Sequence, residues 1–386
     1  MDGVDVEFVV VGAGALGLSA ARSLGRRGHD VVVCERATVG HGAAGSKGSA
    51  RIFRLGYDDP GYVRLALVAQ RLWAELEAEE ETTFLVRTGQ VSFGPDLDVL
   101  ADALGVAGAP YERVGPGELS RRFPALSVPG PALIEPDSGV IAADRYLAAL
   151  RRAVGVEVWE RTPVLRLEDD GRRVRVVLAG DGARPGPQEL RASGVVVCAG
   201  PATAPLVSGL GPRLRSAPTF EQVLYLAPGA GADAAAVDAV PVFVERRRPW
   251  FYGLPVRSAG VVKISLHGAG PPVSVDAWEE ALADGATLDR PDPALVAELR
   301  DCARRVLPAF GSEPVGGERC VYDNSPDTDF VLDRVGNVVV GAGTSGHGFK
   351  FAPLLGELLA DLVTGAPHHG ELGSPADLGR FTSRRR

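Results

Sequence analysis

An α/β fold of two domains, one assembled from βαβ units and one mixed α/β with an antiparallel sheet, is predicted by three stretches of this sequence. Val6–Val11 is an apolar strand pattern that runs into Gly12-Ala13-Gly14-Ala15-Leu16-Gly17 and then a helical stretch. Pro241–His267 alternates in the manner of antiparallel strands. Val338–Val340 is a strand entering Gly341-Ala342-Gly343, and a second helical stretch, Pro353–Leu362, follows it.

Taken in order, the first helical stretch extends to about Arg26, and Arg27-Gly28-His29-Asp30 turns into the strand Val31–Cys34, which ends at Glu35. Glycines at the first strand–helix junction, with an acid about 20 residues later, form the fingerprint of a Rossmann-like dinucleotide site. Gly12, Gly14 and Gly17 let backbone approach a pyrophosphate at the helix N-terminus, where unpaired N–H groups and the helix dipole favour an anion. Glu35 is placed to accept hydrogen bonds from a ribose. Val63–Glu80 reads as a long amphipathic helix and Arg145–Val154 as a shorter one. Val174–Leu178 and Leu190–Cys198 form a hairpin-like pair around the turn-rich Gly180–Pro187, and Gly229–Asp238 is an Ala/Gly-rich loop. The second Gly-rich strand–loop–helix, with Gly365 after it, predicts that the nucleotide domain closes with the C-terminal segment.

Composition removes several classes of function. The 386 residues are 45% hydrophobic and 23% charged, which is ordinary for a globular chain of two domains. A net charge of −8 argues against a nucleic-acid binder. The longest apolar run, Phe8–Ala21, is broken by Gly12, Gly14 and Gly17 and falls short of the roughly 20 residues that cross a bilayer. Asp2, Asp5 and Glu7 ahead of it are the wrong flank for a signal peptide, so the expected location is cytoplasmic, with no membrane partner. Cys34, Cys198, Cys302 and Cys320 include no CxxC, and neither a disulfide framework nor a metal site is expected. Of the 41 Lys+Arg residues only Lys47, Lys263 and Lys350 are lysines. Where a solvated cation suffices this chain uses Arg, so a remaining Lys either marks a site that needs a compact, tunable ammonium or survives by chance.

Three constellations could carry chemistry. Gly45-Ser46-Lys47-Gly48-Ser49-Ala50-Arg51-Ile52-Phe53-Arg54 suits a loop close to a cofactor, and its two arginines suit a carboxylate. In Val261–His267 alternation places Lys263, Ser265 and His267 on one strand face and Val262, Ile264 and Leu266 on the other. The third is Cys320–Phe330 together with Gly343–Lys350. A lone Cys is by default a small buried hydrophobe, and the alternatives, a nucleophile or a covalent tether, need an accessible thiolate. His347 taken alone reads as structural.

These residues together resemble the monomeric sarcosine oxidase and N-methyl-tryptophan oxidase family of flavoproteins. The resemblance runs through the N-terminal glycines, the Ser/Gly loop with its arginines, Phe251-Tyr252-Gly253-Leu254-Pro255, Lys263…His267, the Cys320 segment and Ser345–Phe351. It implies an FAD-binding Rossmann-like domain over residues 1–82, 140–214 and 319–386, beside a mixed α/β substrate domain over 83–139 and 215–318. Cofactor-binding positions implied by it are Gly12, Gly14, Gly17, Glu35, Arg36, Ser46, Lys47, Arg51, Val164, Cys320, Gly346, Gly348 and Lys350, with Cys320 as a thioether tether that makes FAD covalent. Arg54 and Lys350 would bind the substrate carboxylate, Arg51 would sit against the flavin ring, and Lys263 would lie near flavin N5 and assist electron transfer to O₂. His267, Tyr322 and Phe251 would line the substrate cavity, Phe251 standing where the family commonly has Tyr. Lys47 occupies a stretch where the family often has paired histidines, and Thr344 replaces a larger apolar residue. The implied activity is oxidation of a secondary-amine amino acid, N-methyl or cyclic, by a monomer that yields an imine and hydrogen peroxide. Lys263 argues against a dehydrogenase that avoids O₂. Arg51, Arg54, Lys263 and Lys350 together argue against a flavin-binding protein without turnover.

Overall fold

The computed structural model describes residues 4–153, 155–179, 188–211, 214–229, 235–284, 288, 290–367 and 372–382, arranged around three sheets. In the first, Val4–Val11 lies parallel between Val31–Cys34 and Glu189–Val197. Val338–Ala342 adds in parallel to Glu189–Val197, and Val156–Trp159 to Val31–Cys34. Strands covered on both faces read as unbroken apolar runs, which is why Val9, Val10, Val31, Val33 and Val195–Val197 are fully buried. Val174–Leu178 pairs antiparallel with both Glu189–Val197 and Val164–Asp169; the turn expected over 180–187 lies outside the described residues. The C-terminal strand therefore completes the sheet begun by the N-terminal one. Its following helix, Ala352–Thr364, packs on Ala15–Arg26, and a Cβ at Gly356 would lie 2.6 Å from the Ser19 carbonyl carbon. The two helices cross too closely there for any side chain.

The second sheet is antiparallel except where Val242–Glu245 meets Gln90–Phe93. Its order from one edge is Gly316–Tyr322, Thr219–Leu226, Val261–His267, Trp250–Val256, Val242–Glu245, Gln90–Phe93, Ala132–Glu135 and Glu112–Val114. The alternating stretch 241–267 thus resolves into three of its strands. Ala235–Asp238, at the end of the expected Ala/Gly-rich loop, is a short helix, and 230–234 lie outside the described residues. One sheet face buries Leu224, Leu226, Phe243, Phe251, Val262, Ile264 and Leu266 against the helix Pro293–Val306. The expected domain boundary between 318 and 319 falls inside the strand Gly316–Tyr322. Its seven-residue ladder with Thr219–Leu226 holds Cys320 in this antiparallel sheet.

Ala50–Phe53, Gly139–Ala142 and Leu85–Arg87 make the small third sheet, and Arg51 lies on its first strand. The long helix runs Pro60–Glu79, starting ahead of its apolar period. Asp59 caps it by accepting from Gly61 N at 2.7 Å, and Pro60 sits at the first position where its missing N–H costs nothing. The shorter helix expected at 145–154 spans Ala143–Leu150. No helix among the described residues is long and apolar enough to cross a membrane.

Glu135 fixes the chain just after Arg54. Fully buried, it accepts from Leu55 N at 3.1 Å, Gly56 N at 2.9 Å, Ser138 Oγ at 2.9 Å and Gln90 Nε2 at 2.8 Å. Removing that carboxylate strands several buried donors, each costing about 1–3 kcal/mol. Glu135→Ala should therefore lower unfolding stability by about 3 kcal/mol or more in a denaturant titration, whereas a loss under 1 kcal/mol would show that the donors find other partners.

Candidate active site

A cavity of about 570 Å³ runs from the ends of the parallel strands to the antiparallel sheet. At the first end Gly12 has φ +99°, and a Cβ there would lie 2.4 Å from Cys198 O; a Cβ at Gly17 would lie 1.9 Å from Gly12 O. The turn has room for backbone alone. Gly14 caps the helix Ala15–Arg26 without a side-chain bond, while Ser46 Oγ accepts from Ala15 N at 3.0 Å and docks the Ser/Gly loop onto the helix start. The buried Glu35 accepts from Ala13 N at 2.8 Å and Ala37 N at 2.9 Å, which holds its carboxylate at the cavity wall. Arg36 and Val164 also line this end; Arg36 lies 5.3 Å over the Trp278 ring and pairs with Glu279 at 2.6 Å. A cradle that excludes Cβ atoms, a helix N-terminus and a buried acid at the end of the second strand fit the diphosphate and ribose of FAD.

The far end is walled by the second face of the antiparallel sheet. Lys263 and His267, Cys320 and Tyr322, and Trp250 and Tyr252 come to it from three strands. The Lys263 ammonium has no hydrogen-bond partner among the described residues. Burial, reinforced by Arg51, brings its pKa down to about 8, opposed by Cys320 and Glu318. Burial likewise carries the Cys320 thiol up, against the pull of Arg51 and Lys263. His267 is pushed down to about 4 by burial, with Arg54, Lys350 and Arg248 nearby, so its imidazole is neutral at neutral pH.

Two further cations converge beside His267. Lys350 Nζ donates to Tyr57 Oη at 3.0 Å and His347 O at 2.9 Å, and burial followed by Arg54 holds it well below the usual lysine range. Arg54 donates to Gly56 O and lies 4.3 Å over the Tyr57 ring and 5.5 Å over Trp250. Neither has a carboxylate partner among the described residues. Arg51 is held by Ala50 O at 2.9 Å, Gly45 O at 3.0 Å and Lys47 O, with its guanidinium 5.6 Å over Phe349. Gly346 has φ +72°, and a Cβ there would overlap the Tyr322 ring at 2.0 Å; Gly348 would meet Thr344 Cβ at 2.7 Å. Asp323 ties the two C-terminal stretches together, accepting from Gly343 N at 2.9 Å while its own carbonyl accepts from Ser345 N at 2.9 Å.

Three expected positions are not on the cavity wall. Phe251 points the other way, into the apolar core with its ring 5.5 Å from Phe243, because it alternates with Trp250 and Tyr252; those two line the cavity in its place. Lys47 is buried behind the wall, 3.1 Å from Glu318. Gly17 packs under Gly12 instead of facing the cavity. Trp250 and Tyr252 were readable from strand phase. Tyr57 and Asp323 carried no local signal, since only the fold brings Tyr57 to Lys350 and Asp323 to Gly343. His347 bonds Thr328 O at 2.9 Å and Tyr57 Oη at 3.3 Å amid aromatic rings, in keeping with a structural role.

The His267 pKa has a stability consequence. Its folded value of about 4 lies below its ordinary 6.5, so its neutral burial favours the fold above pH 6.5, and that advantage is lost as pH falls toward 4. His267→Gln should lessen the drop in melting temperature between pH 6.5 and 4.5. An unchanged drop would mean that this imidazole protonates in the folded state as readily as in water.

The family described as FAD dependent oxidoreductase matches residues 7–362. The chain is 30% identical to monomeric sarcosine oxidase of Bacillus sp. (strain NS-129), over 93% of this chain and 92% of that protein. It is 30% identical to N-methyl-L-tryptophan oxidase of Salmonella arizonae, over 97% of this chain and 99% of that one. Its fold superposes on NikD, an unusual amino acid oxidase essential for nikkomycin biosynthesis, with a TM-score of 0.80 at 25% identity, over 97% of each chain. Glycines that clear a path for a diphosphate, and a match over nearly the whole length, lead to one conclusion: the chain belongs to the FAD-dependent oxidoreductase family, as an enzyme of the sarcosine oxidase and amino acid oxidase type.

Proposed function

We propose that this enzyme oxidises the C–N bond of an amino acid bearing a secondary amine, N-methyl or cyclic, with O₂ as the final acceptor, giving an imine and hydrogen peroxide. The observation that carries the reading is the pair Arg54 and Lys350. They are two cations drawn to one end of the cavity with no carboxylate among the described residues to balance them. A substrate carboxylate supplies that charge and restores the proton affinity that burial takes from Lys350. The relatives named for sarcosine and N-methyl-L-tryptophan support a small secondary-amine substrate, and the relative named monomeric supports a monomer.

Bound FAD supplies the two-electron oxidant. Gly12, Gly14, Glu35, Arg36, Ser46 and Val164 would hold its nucleotide part at the first sheet, and Arg51, Gly346 and Gly348 would hold its ring system. The antiparallel sheet then forms the substrate side. The amine must be neutral to release electrons, so turnover rises with pH through the amine pKa in the complex. His267, uncharged at neutral pH, lines the cavity without adding a cation to repel that amine. Lys263, as its ammonium, would face the negative charge that develops as O₂ is reduced, a preorganised stabilisation that costs no rearrangement at the moment of reaction. Cys320 would be the covalent tether; burial keeps its thiol protonated, and Arg51 and Lys263 beside it work against that burial.

Peroxide release over sarcosine, N-methyl amino acids, proline, pipecolate and primary amino acids should single out secondary amines that carry a carboxylate. Arg54→Met should lower kcat/KM for them by about 100-fold, the worth of a charge-assisted bond, and leave decarboxylated amines unaffected. Equal turnover of both by the native enzyme would refute the carboxylate assignment. Acid precipitation should leave yellow colour with the protein, and in Cys320→Ser the colour should pass to the supernatant. Release of all the flavin from the unaltered protein would remove the tether.

A further inference from the structure

Lys47 is the one lysine the proposed chemistry leaves unused, and it is 8% exposed. Its Nζ lies 3.1 Å from Glu318 Oε2, while Glu318 Oε1 accepts from Tyr225 Oη at 2.6 Å. Tyr225 stands directly across the strand pair from Lys263, and Val223, two residues before it, is opposite both Glu318 and Ser265. Tyr225, Lys263, Glu318 and Cys320 therefore project from one face of the sheet. A Cβ on Gly48 would lie 3.5 Å from Arg51 Nη1 and 3.6 Å from Glu318 Oε1, so the glycine leaves open the space between the two side chains. Two lysines, Lys47 and Lys263, thus act on Glu318 and hold its carboxyl below the usual range against burial. The other titratable groups of this wall, Tyr225, Tyr252 and Cys320, are kept protonated by burial. Glu221, two strand positions from Val223, has its carboxylate turned to Thr219 Oγ1 at 2.7 Å and Gly270 N at 3.2 Å.

We propose that Glu318 is the counter-charge of the Lys263 ammonium, and that Lys47, by holding the same carboxylate, is a positioning residue that limits how much of that negative charge Lys263 receives. The pair sits behind the cavity wall and touches neither substrate nor the reacting atoms. Its effect is to keep the Lys263 proton exchangeable near neutral pH, where a full ammonium and a free amine are both within reach. The inference rests on the reading of Lys263 as the ammonium that faces O₂, but its test reads ionisation and not turnover, so the two can fail separately.

With three lysines in the chain, each can be followed by itself. The holoenzyme is carbamylated with cyanate across pH 6–10, and the extent at Lys263 is read by peptide mass spectrometry. The unaltered protein should show a midpoint near 8. Lys47→Met should raise it by about half a unit to one unit, because Glu318 then serves Lys263 undivided, and Glu318→Gln should lower it by a similar amount. Lys47→Arg should restore the original midpoint. Shifts of the same sign in Lys47→Met and Glu318→Gln, or none, would overturn the proposal, as would a fall in melting temperature with the midpoint unmoved. If Glu318→Gln does not fold, Lys47→Met decides alone, since a raised midpoint that Lys47→Arg cancels supports the proposal and any other pattern defeats it. A midpoint that responds as described while Lys263→Met reacts normally with O₂ would leave the network standing and remove the assigned role of Lys263.

Discussion

Period-two alternation in the antiparallel sheet is the constraint on which the site depends. One phase, with Leu224, Phe243, Phe251, Ile264 and Leu266, is buried against the helix Pro293–Val306; the other presents Lys263, His267, Cys320, Tyr322 and Tyr252 to the cavity. The register locks both at once. A slip by one residue would turn Lys263 and Cys320 into the apolar core and Leu266 toward the flavin side, and the cost of burying those polar groups forbids it. Stability of the core and placement of the chemistry are therefore one decision, made by the same ladder.

The second organising feature is positive charge held out of water. Lys350 and Arg54 reach the cavity without carboxylate partners among the described residues, Lys263 reaches it without a hydrogen-bond partner among them, and both lysines are pushed below their usual range by burial. Such an arrangement is costly for the empty protein, and a bound anion relieves it. Two buried acids are by contrast well satisfied: Glu135 by backbone and amide donors, Asp323 by Gly343 N and Ser216. The unsatisfied cations mark where ligands belong.

Much of this was legible in the primary structure. Val6–Glu35 read as a strand, a glycine turn, a helix and a strand ending in an acid, and the described structure has those elements in those places. Such βαβ units depend on local period and on glycines whose positions are dictated by close contacts between neighbouring backbones, so the signal is local. Lys263 and His267 were likewise placed by strand phase. Phe251 was misplaced for an instructive reason: family likeness pointed to the residue, whereas the phase shared by Trp250 and Tyr252 pointed to its neighbours. Alternation was the better guide, because it follows from backbone geometry.

The sequence by itself determined the class of fold, the nucleotide cradle and which side chains were available for redox chemistry, since each rests on residues within a turn or a strand of one another. Only the tertiary structure decided the neighbours. It brought Tyr57 to Lys350 across 293 positions of chain, Asp323 to Gly343 across 20, and Lys47, on the loop before Ala50–Phe53, to Glu318. It also set the charge states, taking the His267 imidazole down to about 4 and the Lys263 ammonium to about 8. A pKa depends on burial and on every charge within several ångströms, and neither quantity exists until distant segments pack.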